Sequence, residues 1–179
     1  MSDINSGLLL VGAELAVQAK DYSAMLEYSN KIAQFLPSPT LDPIDDMPVH
    51  RKAAKTLLCL AATLEKNRPY AFAAFGAANL AIPHLTHDPQ AVIFGANIIL
   101  DHIMILPLSA KEYSQTLDTT HAAVMEANHH HFQQHGKYSD ALTALTSQVT
   151  GMVDNLGGKR PALMKSTPPL RSYKRSTYD

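Results

Sequence analysis

A chain of 179 residues, 46% of them hydrophobic and with a formal net charge of −1, is long enough to bury a core and too apolar for global disorder. One domain, or one domain plus a tail, fits that length. The single Cys59 excludes an internal disulfide, and abundant alanine, leucine, isoleucine and methionine without any tryptophan favour helices over sheet.

The opening stretch, MSDINSGLLLVGAELAVQAK, has an acid where a signal peptide carries its basic start, so no targeting segment is expected there. Periodicity predicts a first helix over about 4–19 and a second from the Asp21 cap to the prolines at 37 and 39. The polar connection PSPTLDPIDDMP follows, and Pro48 suits the first turn of a third helix running to about Lys66. Within that helix TLLCLAATL sets Cys59 in an apolar run, where a buried, inert thiol in a reducing compartment is expected. A fourth helix starts near Pro69 and stops before Pro83. Asp88 as cap and Pro89 in the first turn open a fifth, which ends at Pro107. Residues 91–108 reach membrane-span length, but Asn97, Asp101, His102 and Pro107 interrupt them, so a helix buried within protein on most sides is expected.

Ser109 and Glu112 stand at capping-box spacing before a sixth helix, which runs to about His135 and stops at Gly136. The seventh covers about 139–155 and ends at Gly157 and Gly158. No segment alternates as a strand does. The expected fold is all-α: about seven helices in antiparallel hairpins, forming an array or a bundle over 1–156, followed by an extended, proline-containing basic arm over 157–179. That arm carries Lys159, Arg160, Lys165, Arg171, Lys174 and Arg175 against Asp179, a net +5, which leaves 9 basic and 15 acidic residues, net −6, for the body. Such a split marks a tail that meets something other than its own core.

Three second helices line up at one set of intervals. Lys20-Asp21-Tyr22 precedes Met25, Ser29, Ile32 and Pro37; Asn67-Arg68 precedes Ala71, Phe75, Ala78 and Pro83; Gly136-Lys137-Tyr138 precedes Ala141, Leu145, Gln148 and Val153. This pattern resembles the tetratricopeptide repeat, a helix–turn–helix unit of about 34 residues. In that family small side chains let paired helices approach, and an aromatic fills the space towards the next hairpin. The resemblance covers about half the chain. It implies packing roles for Ala71, Phe75, Ala78 and Ala141 and a protein-binding function. Met25 and Ile32 replace small residues, Gln148 and Val153 depart from the pattern, and the hairpins are unevenly spaced.

The run His129, His130, His131 with His135 invites a metal reading. His131 and His135, four apart, point to one side of a helix, and Glu126 with His129 forms half of a di-iron carboxylate motif. Such a bundle needs a second E-x-x-H and two more glutamates, which the sequence lacks. Three consecutive histidines cannot share a face, and near Gly136 they suit the negative end of the helix dipole. The run therefore reads as the wet end of the sixth helix, with no metal; if one binds, His131 and His135 are its first ligands.

Glycines in LVGAE and FGAAN are isolated within helical patterns, so no phosphate or dinucleotide loop is present, and no cofactor is expected. Asp45 and Asp46 read as solvated loop carboxylates. The expected function is non-enzymatic: an assembly subunit that binds other protein subunits through its helical surface and its arm, located in the cytoplasm or within an assembly. A virion or nucleoprotein subunit whose arm faces nucleic acid is the alternative, and a metal-binding helical bundle the third reading.

Overall fold

The computed structural model describes residues 3–36 and 48–155, and the side chains of 7–36 and 48–154. Among them are seven α-helices: α1 (Asp3–Ala19), α2 (Tyr22–Phe35), α3 (Pro48–Leu64), α4 (Ala71–Ala81), α5 (Pro89–Ile103), α6 (Ala110–His135) and α7 (Asp140–Asn155). Short 3-10 turns, Arg68–Tyr70 and Ile82–His84, flank α4. No strand occurs among the described residues. The fold is all-α. The 37–47 part of the polar connection, the glycine stop after α7 and the whole basic arm lie outside the described residues.

Local chemistry sets the helix starts. The Asp21 carboxylate accepts the Ala24 amide at 3.0 Å, and Asp88 accepts that of Ala91 at 3.2 Å. Each satisfies an amide that the first turn would leave unpaired. Ser109 Oγ accepts the Glu112 amide at 3.1 Å, while Glu112 Oε2 accepts the Ser109 amide at 2.9 Å, closing the capping box at the head of α6. Gly136 ends that helix in the left-handed region at φ 72°, its amide reaching the Phe132 carbonyl at 2.8 Å. The fifth helix ends at Ile103, a turn before Pro107: the Leu106 amide still reaches the His102 carbonyl, but proline at 107 forbids a further helical turn. Ser109→Ala removes one half of the box. It should cost about 1 kcal/mol in chemical denaturation, with Glu112→Gln milder because the amide still accepts.

Packing then orders the helices. Every consecutive pair from α1·α2 to α6·α7 is in contact, and so is every next-but-one pair: α1·α3, α2·α4, α3·α5, α4·α6 and α5·α7. All the substantial helix–helix contacts are of these two kinds. Such a pattern is compatible with a helical-repeat-like array, in which each helix packs on its nearest and next-but-one neighbours in the chain. Met25, Ile32, Leu57, Leu64, Ile99 and Leu117, from α2, α3, α5 and α6, are fully buried in the shared core. Helix α4, AFAAFGAANLA, is apolar almost all round because α2, α3, α5 and α6 all pack on it. On helix α5 the exposed residues are confined to a narrow stripe of Gln90, Phe94, Asn97 and Asp101. No described helix is long and apolar enough to cross a membrane.

Two expectations about burial are corrected. Cys59 is exposed, not buried. Helix α3 packs through Ala53, Ala54, Leu57, Leu58, Leu60, Ala61 and Leu64, and Cys59 lies opposite the Leu57–Ala61–Leu64 line. An apolar run identifies the helix but not which side faces in. Ala141 likewise is exposed, and its neighbour Leu142 is fully buried. The inward line of α7 is Leu142, Leu145, Val149 and Val153, so a packing alignment counted from the Gly136 turn sits one residue out of phase at its first position.

Candidate functional site

The three packing positions of the second hairpin lie on α4, which α2, α3, α5 and α6 all contact. Phe75 and Ala78 are buried and Ala71 is half-buried, all on α4. Met25, Ser29 and Ile32 of α2 are all buried, so the first two aligned helices present matching inward faces. Their amino ends lie side by side: the rings of Tyr22 and Tyr70 stack at 5.5 Å. This contact joins α2 to the turn that leads into α4, two helices that also pack on each other. Sequence alignment did not anticipate it, because Tyr22 and Tyr70 occupy different positions in the two hairpins.

The histidines divide into separate groups. His50 on α3 approaches His84 in the 82–84 turn, ring centres 6.0 Å apart, with Phe35 edge-on at 5.6 Å. His87 stacks on His130 at 4.2 Å, joining the loop before α5 to α6. His130 Nε2 meets Glu126 Oε1 at 3.3 Å. His102 Nε2 donates to Glu65 Oε2 at 3.3 Å, tying the end of α5 to the end of α3. His121 is buried on α6 and its Nε2 lies 3.4 Å from Thr150 Oγ1 on α7. The Thr150 hydroxyl gives its only proton to the Thr146 carbonyl, so His121 is the donor in that pair. Helix α6 also buries Ser114, Thr116, Asp118 and Thr120, an uncommonly polar row for a packed helix.

His129, His130 and His131 are half-buried, and the exposed end of the helix begins beyond them, with Phe132, Gln133, Gln134 and His135. The physical reason is the turn into α7, which folds back over the end of α6. Asn128 Oδ1 accepts the Ser139 amide at 2.8 Å and its amide group donates to Thr143 at 3.1 Å. Phe132 and Tyr138 stack at 4.6 Å across the same turn. The rings of His131 and His135 stand 4.5 Å apart, and His131 Nδ1 donates to the Lys137 carbonyl at 2.8 Å. Among the described residues no three His, Cys, Asp or Glu side chains converge as a metal-ligand set.

The surface carries a feature absent from the sequence reading. Leu8, Val11 and Leu15 of α1 are 67%, 53% and 59% exposed, at i, i+3 and i+7 along one face. The opposite face, Leu10, Ala13 and Ala16, is buried against the array. The signal was available: LLLVGAELAV is apolar on both sides of the helix. Phe72, Phe94, Met104 and Ile105 add exposed apolar positions elsewhere. The six arm bases, Lys159, Arg160, Lys165, Arg171, Lys174 and Arg175, lie outside the described residues. Comparison with protein-family models, with curated proteins and with solved structures finds no match to this chain.

Proposed function

We propose that this chain is a non-enzymatic assembly subunit, a tetratricopeptide-like array of helical hairpins that binds other protein subunits through its helix surface and its basic arm. The observation that carries this reading is the exposed row Leu8, Val11 and Leu15 on α1. Scattered exposed apolar residues are ordinary, but three in register on one helix face form a contiguous strip of the kind protein partners cover. The packing of each helix on its nearest and next-but-one neighbours in the chain supports it, since repeat arrays pack in this way and work by presenting long surfaces.

The arm's net +5 against a body of −6 favours a second reading, a virion or nucleoprotein subunit with the arm on nucleic acid. Truncation after Gly158 separates the two when assembly state and nucleic-acid affinity are both measured. Loss of assembly with no nucleic-acid affinity is the expected result, with Leu163, Met164, Leu170 and Tyr173 as apolar anchors and a weak dependence on salt. Six bases on duplex phosphates would instead give a log–log salt slope near about −5, at −0.9 per contact, abolished by the truncation. Leu8→Glu with Leu15→Glu tests the α1 strip: assembly should fall while helicity and melting are retained. Unchanged assembly in that variant removes the strip from the interface.

A further inference from the structure

We propose that His131 and His135 form a two-imidazole site for a borderline divalent cation of the zinc, nickel and copper class, at the carboxyl end of α6, with water in the remaining positions. The two rings lie one helical turn apart with centres separated by 4.5 Å. Ligand nitrogens at about 2.0–2.1 Å from one ion require rings that close, and imidazole suits these metals.

The surroundings prepare the pair. His131 Nδ1–H donates to the Lys137 carbonyl at 2.8 Å, which leaves Nε2 of the neutral ring with its lone pair unprotonated. A carbonyl in this outer position orients a ligating histidine and raises its basicity. That carbonyl is itself held in place. Gly136 adopts φ 72°, its amide reaches Phe132, Tyr138 stacks on Phe132, and Asn128 clamps the Ser139 amide. His135 is exposed, so an ion can enter from solvent and keep open positions. The carboxyl end of a helix carries partial negative charge, which favours a cation there. The neighbouring run does not compete in the same way, because His130 Nε2 faces the Glu126 carboxylate and its ring is stacked on His87.

With two protein ligands, the site should exchange its ion readily and be empty after extensive dialysis. The experiment is titration of the untagged full-length chain with zinc chloride, followed by calorimetry and by histidine ring signals in NMR. One zinc per chain should bind at pH 7.5, shifting the signals of His131 and His135 first. His135→Gln should weaken binding at least roughly tenfold, as loss of a ligand must exceed the usual effect of losing its outer partner. His135 is exposed, so its replacement leaves the fold intact, and circular dichroism checks this. His130→Gln should leave the affinity within about twofold. No saturable binding, or binding that survives His135→Gln and falls with His130→Gln, overturns the assignment.

Discussion

Phe75→Ala should lower the unfolding free energy by about 3–5 kcal/mol, the range found when a buried aromatic is cut back to alanine. The side chain sits on α4, on which four other helices pack, so the walls of the resulting cavity belong to a closely packed core and cannot all collapse inward. In a protein of this size about 2–4 °C of melting temperature accompany each kcal/mol, giving a fall of roughly 6–20 °C. Urea denaturation with an unchanged m-value is the direct measurement. A near-native midpoint would mean that α4 is not the centre of the array. Ala78→Leu, at a site with no exposure, should destabilise by roughly 1–3 kcal/mol through overpacking. Ala71→Leu should cost less, because Ala71 is half-buried and a larger side chain can turn outward.

One substitution made at two glycines should give opposite signs. Gly76 lies inside α4 and Gly95 inside α5, so alanine improves helix propensity at both by about 1 kcal/mol. A β-carbon on Gly76 would meet nothing within 4 Å. Gly76→Ala should therefore stabilise by roughly 0.5–1 kcal/mol. On Gly95 the same atom would run into the Cγ2 of Ile82 and lie 3.2 Å from Leu58 Cδ1. Both neighbours are buried, and the Cγ2 that would have to move is a methyl fixed on the branched Cβ of Ile82. Gly95→Ala should destabilise by about 1–3 kcal/mol net of its propensity gain. Equal stabilisation by the two variants would show that α5 does not approach α3 and the 82–84 turn as closely as the structure has it.

Helix positions were legible because their signals are short-range. Asp21, Asp88 and the Ser109–Glu112 pair act through hydrogen bonds to residues three away, and Gly136 acts through its own φ angle. None of these needs to know where the rest of the chain lies. Pro107 shows the limit of that reading: it marks where a helix must have stopped, while α5 ends four residues earlier as its last carbonyls turn to looser partners.

Facing is a different matter, and the chain alone left it open wherever a helix lacked a polar side. In TLLCLAATL every residue but the threonines is apolar, so nothing local turns Cys59 outward; α1, α2, α4 and α5 packing on one side of α3 does. The same holds for α7, where contact with α6 and α5 selects Leu142 over Ala141. Histidine pairing is more distant still. His87 and His130 are 43 positions apart, yet they stack because the 82–84 turn and the loop after it are packed on α6. His131 and His135, four apart on one helix, needed no such help to meet; the carbonyl that orients His131 comes from the turn beyond Gly136 and is placed there by contacts between α6 and α7. Caps, breakers and periodicity act within a turn or two of chain, so the sequence determines them. Burial depends on which surfaces meet, and that is settled only when helices far apart in the chain compete for the same apolar contacts.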